Sequence, residues 1–154
     1  MLRPEQISLV NQIDDFTCHY ATIAMVTGRP IDVLVAEYGN DGDSDRWKNG
    51  LDERDAVRIM MKEMILPVPI HTFLLGSCPL RNPGVYMVTV PGLGGSGRLH
   101  SVIVTSTPEN RLTVLDPQNG REGVKWYPSD ALMKSSAGPW LQYLDILRLE
   151  DMTQ

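Results

Sequence analysis

A chain of 154 residues, 42% apolar and 21% charged, is long enough to bury one good hydrophobic core and too apolar to stay disordered. Its 14 Lys and Arg against 19 Asp and Glu leave a net charge of −5 with no basic stripe. That balance argues against nucleic acid or an anionic membrane as partner and for proteins or peptides.

The simplest organisation is a single domain over residues 1–154, with no internal repeat, linker or low-complexity segment. Met1 to Leu9 has no apolar core of signal-peptide length, and no apolar run approaches the ~18 residues that span a bilayer. Two cysteines, Cys18 and Cys78, do not make a secreted disulfide scaffold. The expectation is free thiols in a reducing cytoplasm, and a chain that acts elsewhere would need something other than its own sequence to export it.

The first half of the chain reads as helical. An apolar run from Ala21 to Val26 follows Cys18 and is stopped by Gly28 and Pro30, a C-cap glycine and a breaker. Asp14, Asp15 and Thr17 offer N-cap side chains just before it. A second short helix is expected over Ile31 to Tyr38, then a polar, glycine-punctuated loop from Gly39 to Gly50. A third helix is expected over Asp52 to Met64, with Ala56, Ile59, Met60 and Met64 on one face.

The second half reads as strands. "PVPIHTFLL", "GVYMVTV", "LHSVIVTS" and "LTVLDPQ" are β-branched runs broken by Pro, Gly and Asn, and a last strand falls around Trp140 to Leu149. Helices followed by an antiparallel meander predict an α+β fold, with N-terminal helices packed on an antiparallel sheet.

Two motif matches lead nowhere. "GLGGSG" (Gly92 to Gly97) fits G-x-G-x-x-G, but a strand follows it where a dinucleotide site needs a helix N-terminus. Cys18, His19, His71 and Cys78 have no metal-site spacing, so neither metal nor other cofactor is expected. Cys78 reads as an inert thiol.

Cys18 is different, because a cysteine in the first turn of a helix sits at the positive end of the helix dipole, where a thiolate is favoured. A nucleophilic thiol also needs an imidazole and an orienting carboxylate. His19 is adjacent, but neighbours on a helix point about 100° apart and do not face each other. His100 has a better-placed partner. "LHSVIVTS" and "LTVLDPQ" predict a β-hairpin turning at Pro108 to Arg111, which sets Asp116 within one or two pairs of the position opposite His100. A one-residue slip in that turn would flip the faces.

Gln12 six residues before Cys18, the helix "HYATIAMVTG", "LHSVIV" and "VLDPQNG" together resemble the papain-like cysteine peptidase superfamily. The pattern, spread over Ile7 to Trp126, is most similar to the small bacterial peptidases that remove double-glycine leaders from bacteriocins. The resemblance implies a papain-like fold, with Cys18 as nucleophile, His100 as base and later acid, and Asp116 orienting His100. It also implies that Gln12 donates its side-chain amide to the oxyanion.

Thr17 and His19 depart from that family, which has Asp before and Gly after the nucleophile. No transporter accompanies the domain in this sequence, and it also resembles peptidase-like toxins and effectors that bacteria deliver into other cells. One branch of that group, the papain-fold glutamine deamidases, has a segment like "DPQNG" (Asp116 to Gly120).

The sequence therefore predicts a cysteine peptidase acting on a protein substrate as a delivered bacterial toxin or effector, with a cognate immunity protein as an implied partner. A protein-glutamine deamidase is the alternative, and a catalytically inactive papain-fold binding module is the second. His19 crowding the thiol favours the last of these.

Overall fold

The computed structural model describes residues 2–39, 51–70, 80, 83–91, 99–109, 111–118 and 142–148. Within them lie three α-helices, α1 (Cys18–Thr27), α2 (Ile31–Tyr38) and α3 (Glu53–Lys62). Five strands follow: β1 (Ile65–Ile70), β2 (Gly84–Pro91), β3 (Leu99–Ser106), β4 (Leu112–Leu115) and β5 (Gln142–Arg148). They form one sheet in the order β1-β5-β2-β3-β4, each neighbouring pair antiparallel. The expected α+β architecture is the one observed. No helix of the described residues is long and apolar enough to cross a membrane.

The meander is only partial. β2, β3 and β4 follow one another, but β5 returns to lie between β1 and β2. β1 and β2 run in the same direction, so the strand between them pairs antiparallel to both. Edge strand β1 carries Pro67 and Pro69, residues that lack the N–H a central strand would need.

Helix α1 is buried from His19 through Val26, so it has no solvent face. Tyr20, Ile23, Ala24 and Val26 form one core with Leu34 of α2, Ala56, Ile59 and Met60 of α3, and Val85, Met87 and Ile103 of the sheet. Alternation along β2 and β3 sends Tyr86, Val88, Val90, Val102 and Val104 to the other face, where they pack with Leu80. Burial on both faces is why these strands read as continuous apolar runs.

The punctuation read from the sequence is in place. Gly28 ends α1 in the left-handed region at φ 73°, its N–H donating to Ala24 O at 2.9 Å. Asp52 caps α3, its carboxylate accepting from Asp55 N at 2.8 Å. Helix α3 stops at Lys62, short of the expected Met64. Met64 takes a left-handed φ of 61° and is 53% exposed, because the chain is already reversing into β1.

An ionic cluster ties the far ends of the helices together. Arg29 pairs with Glu63 and, at 2.5 Å, with Glu37, and Tyr38 Oη donates to Glu63 at 2.5 Å. Burial and then the Glu63 carboxylate push the Tyr38 phenol up to about 12.

A Cβ at position 28 meets nothing within 4 Å, so Gly28→Ala isolates the backbone term. The substitution is expected to lower the unfolding free energy by about 1 kcal/mol in urea titrations, without changing the m-value.

Candidate active site

Cys18 is the first residue of α1 and is a free, half-buried thiol. The N-caps expected from Asp14 and Thr17 are not made to this helix. Thr17 occupies the N-cap position without a side-chain cap bond. Its Oγ1 turns back to accept from Ile13 N at 2.9 Å and Asp14 N at 3.2 Å. The Asp14 carboxylate accepts from Phe16 N at 2.9 Å, an Asx-type turn. These bonds brace the loop before α1 and leave the head of the helix uncapped by Thr17 beside the thiol.

Gln12 is buried at the other end of that loop. Its backbone N–H donates to Pro117 O at 2.9 Å and its Nε2 donates to Asp14 O at 2.6 Å. A primary amide nitrogen has two hydrogens, so one remains beyond the Asp14 bond. The Pro117 bond fastens the Gln12 loop to the segment that follows β4.

The hairpin turns where the sequence places it. Thr107 N donates to Arg111 O at 3.1 Å, and Ile103 pairs with Leu115. Continued one step past Leu115, this register sets Asp116 across from Val102, two residues from His100 and on the same parity. His100 Nε2 and Asp116 Oδ1 lie 2.7 Å apart. Asp116 is 2% exposed, and the same oxygen also accepts from Gln118 N at 2.9 Å.

Cys18 lies close enough to His100 to act on its titration. Asp116 takes Nε2, and Nδ1 is the ring nitrogen that remains. Burial alone would lower the His100 pKa, but the Asp116 hydrogen bond, the Cys18 contact and the negative charge on both push it up to about 9. Cys18, His100, Asp116 and, through Pro117, the Gln12 loop are thus brought together.

His19 is buried, with Nδ1 2.7 Å from Leu51 O. Burial holds its pKa below the ordinary value; the Leu51 bond opposes this, the His100 charge adds to it, and Asp52 opposes it. Two polar contacts had no reading in the sequence. Ser101 Oγ donates to Thr22 Oγ1 at 3.4 Å, joining β3 to α1, and Thr89 Oγ1 donates to Glu53 at 3.2 Å, joining β2 to α3. The one available signal was a threonine in the apolar run of α1. His71, Cys78, the "GLGGSG" loop and the loop at 40–50 lie outside the described residues. Among the described residues no group of three or more His, Cys, Asp or Glu is placed to hold a metal ion.

No protein-family model and no curated protein matches this sequence. Among solved structures, the chain is similar to the peptidase domain of Streptococcus ComA, a bi-functional ABC transporter involved in a quorum-sensing pathway. The TM-score is 0.57 at 21% identity, over 90% of this chain and 98% of that one. It is also similar to a double-glycine-motif protease from an AMS/PCAT transporter, solved in complex with the leader peptide. There the TM-score is 0.55 at 13% identity, over 92% of each chain. The chain has the α+β, papain-like fold of these peptidase domains.

The two histidines bend stability in opposite directions. His100 titrates above its ordinary 6.5, so its contribution is complete below that pH and lost as pH rises through about 9. His19 titrates below 6.5, so its contribution is complete above that pH and lost as pH falls. Urea titrations should give maximum stability near neutrality, with a loss of roughly 3 kcal/mol by alkaline pH. His100→Gln should flatten the alkaline side.

Proposed function

We propose that the protein is a cysteine peptidase that cleaves a protein substrate through an acyl-enzyme. The observation that carries this reading is the contiguous row Cys18, His100 and Asp116, with the imidazole pushed up to about 9 between two acidic groups. A histidine in that range is an imidazolium at neutral pH, the partner a thiolate needs.

In this reading the Cys18 thiolate adds to the scissile carbonyl carbon. The oxyanion is met by the second Nε2 hydrogen of Gln12 and by the head of α1, donors of a kind worth about 3 kcal/mol each. His100 gives its proton to the leaving amine as the tetrahedral adduct collapses. The same ring then takes a proton from water, which hydrolyses the thioester and restores the thiol pair. Asp116 fixes the ring with Nδ1 toward the thiol and stabilises its charge.

The fold shared with double-glycine peptidase domains supports amide hydrolysis at this site. Action as a delivered bacterial toxin or effector, held in check by an immunity protein, extends the proposal and rests on the resemblance of the sequence.

The test is expression of wild type, Cys18→Ala and His100→Ala in a bacterium, with proteome-wide mapping of new N-termini and of Gln-to-Glu changes. New N-termini with wild type alone are expected. One-unit mass shifts at glutamine, lost in both variants, would replace peptidase by deamidase. Identical proteomes from all three would end the catalytic reading. On a substrate so identified, Asp116→Asn is expected to lower kcat/KM by about 10²- to 10⁴-fold while bringing the His100 titration down toward its ordinary value.

A further inference from the structure

The imidazole beside the nucleophile is a buried group that this chemistry leaves unused. His19 is the second residue of α1 and is 8% exposed. Its Nδ1 lies 2.7 Å from Leu51 O, and a carbonyl only accepts, so the proton of the neutral ring is on Nδ1. Nε2 is then a bare acceptor, buried and with no hydrogen-bond partner among the described residues. The titratable groups acting on the ring are His100 from β3 and Asp52 at the head of α3, with Cys18 next to it on α1.

His19 is also held at both of its ends. On the ring side, Leu51 leads into Asp52, the cap of α3, and then into Glu53, which accepts from Thr89 of β2. On the backbone side, His19 O accepts from Thr22 Oγ1 at 2.9 Å, and Thr22 Oγ1 accepts from Ser101, the neighbour of His100. Thr89 and Ser101 are register partners across β2 and β3. The bonds close a circuit through α1, α3, β2 and β3 beside Cys18 and His100.

Resting on the reading above, we propose that His19 is a positioning residue: its neutral ring, seated on Leu51, keeps Cys18 against His100, and protonation of that ring undoes the seat. A proton taken up at Nε2 creates a buried N–H with no acceptor among the described residues. It also sets a second cation beside the imidazolium of His100. Both costs fall away if the ring leaves its pocket, and the Leu51 carbonyl and the head of α3 are then released. Acid thus disengages the thiol pair through the residue next to the nucleophile.

The experiment is the rate of Cys18 alkylation by iodoacetamide across the acid range, in wild type and His19→Asn, together with ¹⁵N spectra of the histidine rings. Asparagine keeps a side-chain N–H near the Nδ1 position and does not titrate. The wild-type rate is expected to fall on the acid side by about tenfold per pH unit in step with the His19 titration, which lies below the ordinary 6.5, with Nδ1 protonated and Nε2 bare in the neutral ring. The variant, whatever its plateau, should stay level over that interval. An acid limb unmoved in His19→Asn, or a ring with Nδ1 bare, overturns the inference while leaving a fast thiol and the peptidase reading intact. A wild-type thiol no faster than free cysteine at any pH removes both. If His19→Asn does not fold, the wild type decides: a rate that does not follow the His19 titration rejects the role.

Discussion

The buried hydrogen bond between His100 and Asp116 is the constraint to which the rest of the molecule answers. A carboxylate 2% exposed is tolerable only when its charge is matched and its oxygens are bonded. The His100 ring matches the charge and, with the Gln118 amide, bonds Oδ1, and the Cys18 thiol is close enough to act on the same ring. Turn length, strand register and the Gln12 to Pro117 bond all converge on setting that carboxylate in place.

Helix α1 carries the thiol and is the most enclosed of the three described helices. Its two ends are finished in different ways. At the start, Thr17 turns its hydroxyl away and the reactive group stands at the helix head. At the finish, Gly28 reverses the chain and Arg29 enters the cluster with Glu37 and Glu63. The tight, ionic end anchors the helix, so that the open end can present a thiol without fraying. Thr22, halfway along, adds a polar stitch to the strand that bears His100.

What could be read in the sequence was whatever is coded locally. Gly28 with Pro30 bounds α1, and the Pro108 turn fixes the register that pairs His100 with Asp116; both depend on residues within a few positions of one another. Contacts made at long range were not legible. The place of β5 between β1 and β2 depends on strands far apart in the chain, and no local pattern encodes it. Thr17 looks like a helix cap in sequence, yet the loop it closes behind itself claims its hydroxyl first. Met64 fits the apolar face of α3 by spacing, but the demand for a reversal into β1 overrides that periodicity. In the sequence His19 is only a crowding neighbour; its bond to Leu51 needs the third helix to be folded in place.

The two prolines of β1 bear on how the molecule meets other molecules. Antiparallel strands alternate residues whose N–H groups point to the partner with residues whose N–H groups point away. Positions 67 and 69 share one parity, and lacking N–H groups they fit the outward set, leaving the pairing toward β5 to the residues between them. The outer margin of β1 is therefore nearly bare of donors and makes a poor template for a further strand. A chain that exposes this margin is guarded against edge-to-edge polymerisation by the covalent structure of two residues, a safeguard that neither pH nor salt can switch off.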